Sequence, residues 1–461
     1  MQRHLPALLL PLLLAACGPG LMSQNQASTP RPPPCDDEVD YHCDVRPLIE
    51  RHCISCHAEG GIAPFPLTTY AQAAEMAPAL AAAVADRTMP PWPPAESEAC
   101  PPLVGSRALS VDEIETFQAW AAADTPEGDE AQARADGRLN VALQEDTDLG
   151  EPEITFTVGA GYTPNQSLQD DYRCFIVDLA LTRAEWMHAY EVVPGNRAIV
   201  HHVLLYQVME RDVAELQRWD DEDPGEGFEC FGAPSPGIPM TLGGWVPGQR
   251  PLRYRQGDGA WMPARGRVVV QMHYNLISGP GVDETTVKLH LVEGQPFREI
   301  ATFPFPGSDF NIPPGEAGYT WVEQSGPLPD LLFSDDLQIQ LEGVAPHMHT
   351  LGESILVTLD EPGETPQCLV DIPRWDFHWQ GFYLFNTEEP LPLTRGSGFT
   401  LSCTWDNTER KQLVVNGVRQ EPRWVTWGEG TRDEMCLVYL IASGTPGWTQ
   451  VLLTALEQFW D

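Results

Sequence analysis

The sequence predicts a multidomain chain in which a small all-α domain is followed by two all-β antiparallel sandwich domains. Three observations carry this reading. Between about 45 and 123, apolar residues recur at helical spacing, as at Ile114, Phe117 and Trp120. Beyond about 151 the pattern changes to short β-rich runs, such as 199–206, 268–274 and 355–359, with no helical pattern between them. The 44 Pro and 39 Gly among 461 residues punctuate those runs and favour turn-rich β architecture. At roughly 150 residues per domain, the length suits three domains, and 42% hydrophobic residues suffice for buried cores. The 27 basic against 66 acidic residues, a net charge of −39, exclude nucleic acid as a partner, since its recognition rests on cationic contacts to phosphate.

The first seventeen residues read as a secretion signal. Arg3 supplies the positive charge and 8–14 the short apolar core, ending in Leu14-Ala15-Ala16-Cys17. That tetrapeptide resembles the bacterial lipobox, in which the cysteine is acylated and becomes the first residue, so Cys17 is the expected lipidation site. Gly18 stands where an Asp usually retains a lipoprotein at the inner membrane. The expectation is therefore an exported chain, lipid-anchored at the outer membrane of a Gram-negative bacterium on its periplasmic or cell-surface face. Residues 18–34, with Pro30, Pro32, Pro33 and Pro34, read as a disordered tether. No later run approaches the ~20 apolar residues of a membrane span, which leaves the lipid as the only membrane contact.

Within the helical domain, residues 45–52 form an amphipathic segment running into Cys53-Ile54-Ser55-Cys56-His57. Two thiols one turn apart suit thioether bonds to haem vinyl groups, and His57 then falls under the iron as an axial ligand. A zinc or redox C-x-x-C competes, but no second ligand pair lies nearby. Met89, in Thr88-Met89-Pro90-Pro91-Trp92, is the expected sixth ligand on a rigid loop, whereas Met76 in an alanine-rich stretch reads as helical core. Ser110 and Glu113 form a capping box that opens a helix over 111–123. Residues 35–128 resemble class I cytochrome c domains, which implies one covalently bound haem c. From Asp124 to Glu153 there are ten acidic residues against Arg134 and Arg138, so the stretch reads as an acidic linker, over 129–152, or a docking surface.

In the β region, His201 and His202 are adjacent on a strand, so their side chains are expected on opposite faces, whereas His347 and His349 share one face. His273 is a third imidazole on a separate strand. Any one of these is most simply a structural histidine, but a pair, a single and a pair within β segments point to metal. Imidazoles suit copper as well as zinc, and a thioether ligand favours Cu(I).

The strings His201-His202-Val203-Leu204-Leu205, Gln271-Met272-His273-Tyr274, His347-Met348-His349-Thr350-Leu351-Gly352 and Asp433-Glu434-Met435-Cys436 occur in that order. Together they resemble the copper type II ascorbate-dependent monooxygenases, which include the peptidylglycine α-hydroxylating and dopamine β-monooxygenases, over roughly 155–455. The resemblance implies two jelly-roll-like sandwiches, 153–295 and 296–461, facing each other across a solvent cleft, and two copper ions. His201, His202 and His273 would hold an electron-storing copper, and His347, His349 and Met435 the copper where oxygen binds and hydroxylation occurs. It also pairs Cys403 with Cys436 and Cys174 with Cys230. Cys35, Cys43, Cys100 and Cys368 stay unassigned, with Cys43 to Cys100 the expected bridge inside the helical domain.

Two departures limit what carries over. Ala345 stands where the peptide-amidating enzymes have a carboxylate-gripping Arg, although Tyr439 resembles an aromatic substrate-binding position. The fused haem domain is the other, and it suggests haem as the electron source in place of, or beside, ascorbate or another small reductant or an electron-donor protein. The expectation is a copper-dependent oxidoreductase acting with O2 on a C–H bond of a small organic or peptide-like substrate. The competing expectation is a non-catalytic electron-transfer or copper-binding lipoprotein.

Overall fold

The computed structural model describes Cys35 and residues 38–460, apart from 62, 140–148, 169, 231–239, 248, 277–278, 334–336, 388–389, 416 and 429–431. The signal segment with Cys17, the tether and the middle of the acidic stretch lie outside the described residues. Among the described residues no helix is long and apolar enough to cross a membrane.

The first unit is helical. A π-helical turn, Tyr41–Val45, leads into α1 (Arg46–His52), followed by α2 (Tyr70–Ala85) and α3 (Val111–Ala122). Thr69 with Gln72 and Ser110 with Glu113 close capping boxes, each satisfying otherwise orphaned backbone donors of a first turn. The apolar faces meet over Val45, Ile49, Leu80, Val84, Phe117 and Trp120, with Met76 packed against them as expected. Burying each large side chain contributes about 1.5–3 kcal/mol, enough to hold helices this short. A further helix, α4 (Glu130–Ala135), lies inside the stretch read as a linker. Ion pairs Arg46–Glu130 at 3.0 Å and Arg138–Asp44 at 3.8 Å fold it back onto the π turn.

The rest is β structure. A long mixed sheet follows the order β1 (Ile154–Tyr162), β8 (Asp283–Leu291), β3 (Glu185–Val193), β6 (Asp258–Met262), β9 (Arg298–Pro306), β15 (Leu437–Gly444) and β11 (Ile339–His347). A second sheet contains β2 (Asp170–Val177), β7 (Arg267–Asn275), β4 (Val200–Val208) and β5 (Met240–Trp245) in that order. It packs on the first part of the long sheet over Tyr190, Val203, Leu205, Val270, Tyr274 and Val287. The third sheet runs β10 (Ala317–Gln324), β14 (Gly398–Asp406), β12 (Gly352–Asp360), β13 (Gln367–Ile372) and covers the other part over Leu341, Val344, Ile355, Leu401, Trp405 and Leu440.

Two sandwich layers therefore exist, but they share one sheet. The division expected at 295/296 falls in the loop between β8 and β9, and there β9 pairs in parallel with β6 through Arg298↔Asp258, Glu299↔Gly259 and Ile300↔Ala260. Ile300 of β9 and Ile441 of β15 belong to the core of the N-terminal half.

The disulfides are Cys35–Cys43, Cys100–Cys368, Cys174–Cys230 and Cys403–Cys436. The last two are the pairs the family resemblance implied. The expected Cys43–Cys100 bridge is not formed. Cys43 lies in the π turn beside Cys35, while Cys100 sits in a segment that leaves the helical core and lies along β13. Several contacts dock that segment: Ala95 N donates to Asp371 O at 2.7 Å, Val104 N to Leu384 O at 2.8 Å and Asn386 N to Pro102 O at 2.7 Å. Arg374 returns two bonds to the carbonyls of Asp86 and Arg87, and Trp92 packs edge-on against Tyr383. The helical unit is clamped to the C-terminal half, chiefly on the connection 373–386. Replacing both Cys100 and Cys368 by Ser should lower the unfolding free energy by about 2–4 kcal/mol and speed hydrogen exchange in 86–107. Unchanged exchange there would show that the clamp does not depend on the bridge.

Candidate metal centres

His201 and His202 stand on β4, His273 on its antiparallel neighbour β7. Their register is irregular: Val200 faces Tyr274, but His202 faces His273, so His201 is an extra residue bulged out of the ladder. The bulge breaks the alternation that would send the two side chains to opposite faces. That expectation is thereby corrected, because both rings turn to His273, with ring centroids at 4.6 Å from His201 and 4.7 Å from His202.

The three Nδ1 atoms converge. His201 Nδ1 lies 3.4 Å from His202 Nδ1, which lies 3.3 Å from His273 Nδ1. A tetrahedral centre with metal–nitrogen bonds of 2.0–2.1 Å separates its ligand nitrogens by about 3.3 Å, so the cluster has the dimensions of a metal site. Asp170, at the start of β2, accepts the Nε2–H of His273 at 2.9 Å and the side-chain N–H of Asn275 at 2.8 Å. The carboxylate thus leaves the Nδ1 lone pair of His273 directed into the cluster. Tyr172 stacks on the same ring at 4.0 Å. Burial lowers all three imidazole pKa values, His201 to about 3 with help from His273 and His378. The rings are neutral near pH 7, the form that binds metal.

The second pair lies where β11 ends. His347 pairs with Leu437 of β15, Met348 turns into the core, and His349 returns to the side of His347 with ring centroids 5.1 Å apart. His347 Nδ1 donates to Gln380 Oε1 at 2.5 Å and His349 Nδ1 to the Asp433 carbonyl at 3.0 Å, so each ring presents Nε2. Burial takes His347 to about 3.

Glu434 holds this geometry. Its fully buried carboxylate accepts N–H from His349 at 2.9 Å, Leu351 at 2.7 Å and the Trp405 indole at 2.9 Å, and a further bond from the Met435 backbone. Burial raises its pKa to about 7 against the pull of these donors. Met435, the next residue, is 4% exposed. It stands two positions before Leu437, the partner of His347. On β15, Tyr439 faces Ala345 and shares the face of Leu437 and His347, the face turned towards the N-terminal half.

The two clusters approach each other through the connection 373–386. Phe377 lies 6.5 Å from the His273 ring and 6.1 Å from that of His349. The partly buried Phe377 side chain thus stands between the two clusters. Asp170, Gln380, Glu434 and His378 all escaped the sequence reading. Glu434 stood inside a quoted motif, and the run Trp375-Asp376-Phe377-His378-Trp379-Gln380 was the one available signal for the connection.

In the helical unit, Cys53 and Cys56 are free thiols, while the other eight described cysteines are bridged. Burial pushes the Cys53 thiol up to about 12, which disfavours a redox-active thiolate. His57 Nδ1 donates to Phe65 O at 2.9 Å and so presents Nε2, the atom an axial ligand uses. Met89, four residues beyond α2, is 37% exposed and is not packed against the helical core as Cys53 is.

Replacing Glu434 by Gln sets an amide N–H2 against backbone donors. The variant should lose about 1–3 kcal/mol of stability and bind copper more weakly at His347 and His349. A melting temperature and copper affinity equal to wild type would remove Glu434 from this role.

Comparison with known proteins adds a family signal to this geometry. The chain is 24% identical over 286 residues to DBH-like monooxygenase protein 1 from Homo sapiens, a match covering 55% of this chain and 41% of that protein's length. Among solved structures, the infectious bursal disease virus VP2 subviral particle aligns with 65% of this chain and 82% of its own at 10% identity, but a TM-score of 0.14 carries no argument. Residues 334–443, which include His347, His349 and Met435, match the family model of the copper type II ascorbate-dependent monooxygenase, C-terminal domain, and support a copper-dependent monooxygenase function.

Proposed function

We propose that the chain is a copper-dependent monooxygenase that hydroxylates a C–H bond of a small organic or peptide-like substrate with O2, drawing its electrons through a covalently bound haem c. The observation that carries this reading is the convergence of two imidazole clusters, with different nitrogens presented, on one junction. His201, His202 and His273 would hold one copper through Nδ1, and His347, His349 and Met435 the other through two Nε2 atoms and a thioether. When bound, the two ions would supply the two one-electron equivalents that hydroxylation with O2 requires.

The protein's own residues prepare that chemistry. Asp170, Gln380 and the Asp433 carbonyl fix the ring tautomers, and burial keeps the rings neutral. Trp375 Nε1 anchors the connection by donating to His349 O at 3.1 Å. Tyr439 offers an aromatic surface to substrate on the face shared with His347. Ala345 on that face has no cation, which favours a substrate without the carboxylate that peptide amidation requires.

Cys53 and Cys56 would carry the haem and His57 its axial bond, with Met89 as the proposed sixth ligand. The contacts that dock the helical unit on the connection 373–386, which also carries Phe377 and His378, support electron supply from this unit to the clusters. Export and lipid anchoring through Cys17 would place these cofactors outside the cytoplasm, where the disulfides persist. A second reading, a haem and copper protein of electron transfer alone, shares every metal ligand and lacks only turnover.

Metal analysis should return two coppers and one haem iron per chain, and one copper after His349→Ala. A substrate screen followed by oxygen uptake should find an activity that this variant lowers about a hundredfold or more. Full metal loading without substrate-dependent oxygen uptake would favour the electron-transfer reading. On mixing the reduced protein with oxygen and substrate, haem oxidation should keep pace with product. A haem that stays reduced through turnover excludes it as the donor.

A further inference from the structure

The geometry points to a fourth imidazole for the three-histidine centre: His378, delivered across the junction by the C-terminal half. The assignment rests on the reading that His201, His202 and His273 hold copper. The His378 ring centroid lies 5.4 Å from that of His201 at an interplanar angle of 82°. Within the cluster the corresponding distances are 4.6, 4.7 and 5.6 Å. Two imidazoles on one metal, with bonds of 2.0–2.1 Å, place their centroids roughly 4.5 to 5.5 Å apart for bond angles between 90° and 120°. His378 is therefore as close to His201 as a shared ion demands.

Its orientation also fits a ligand. Nδ1 donates to Asp376 Oδ1 at 3.0 Å, and the same oxygen accepts the His378 backbone N–H at 2.9 Å. The carboxylate fixes the tautomer with Nε2 available, as Asp170 fixes the opposite tautomer of His273 with Nδ1 available. The backbone on either side is anchored. Trp375 bonds to His349 O, Trp379 N to Asp376 O at 3.0 Å, and Gln380 Nε2 to Phe377 O at 2.9 Å. Both ring nitrogens of a half-exposed histidine on a free loop would be solvated; here one is committed to a carboxylate and the ring stands edge-on to that of His201.

Four nitrogens suit the tetragonal preference of Cu(II), and three suit the reduced ion. His378 would thus bind on oxidation and leave on reduction. Gln380, two residues on, holds His347, so the redox state of one centre is mechanically linked to a ligand of the other.

The test uses the full chain with His347→Ala and His349→Ala, so that Cu(II) occupies the three-histidine centre alone. X-ray absorption and pulsed EPR should count four imidazoles, and three after His378→Ala, whose Cu(II) affinity should fall about ten- to a hundredfold. Asp376→Asn, which keeps the imidazole and loosens its orientation, should fall between. Three imidazoles before the substitution, or an identical spectrum and affinity after it, overturn the assignment. His273→Ala separates the two levels of the argument: if copper binds there unchanged, the three-histidine reading itself fails, and His378 falls with it.

Discussion

One buried carboxylate organises the C-terminal centre. Among the described residues the groups that hold the Glu434 carboxylate are N–H donors, and satisfying it requires four of them from three separate segments to stay in place. Those segments are the loop carrying His349, the strand carrying Trp405 and the residue that begins the approach to β15. The Cys403–Cys436 bridge fastens the same two strands a residue or two away. A loop histidine thereby acquires the positional precision of a strand residue. The arrangement costs desolvation of the carboxylate, and this cost is what fixes the site.

The three-histidine centre reaches the same end by another route. There a single inserted residue in β4 re-aims a ring that regular alternation would send to the opposite face. Asp170 then sets the tautomer of the partner ring from a third strand. Between the centres runs the connection 373–386, touched by the helical unit on one side and by both clusters on the other. Three parts of the chain, far apart in sequence, are in contact through about a dozen residues.

Much of this was legible in the sequence, and the failures have physical reasons. Capping boxes and helical stripes are local, so α3 with its Ser110 and Glu113 could be read directly. The five histidines and Met435 were visible as candidates, and the β runs around them were directly readable, because residue type and period are properties of short segments. The bulge at His201 was not, since register depends on the partner strand. Nor was the use of Glu434, whose motif position says nothing about the backbone donors it will meet. The expected Cys43–Cys100 bridge does not form because 86–107 leaves the helical core to lie on β13, which brings Cys100 to Cys368. The sharing of one sheet by two sandwiches hinges on three parallel residue pairs between β6 and β9, which no pattern announces.

That shared sheet has a consequence for how the chain folds and breaks. A three-residue parallel junction brings Ile300 into the core of the N-terminal half, while its neighbours on β9, such as Ala301 and Phe303, belong to the C-terminal core. Neither half can complete its hydrophobic core without strands whose other face the second half needs. The two are therefore one cooperative unit in unfolding, and a truncation at the apparent boundary would yield two aggregation-prone fragments with raw sheet edges instead of two domains.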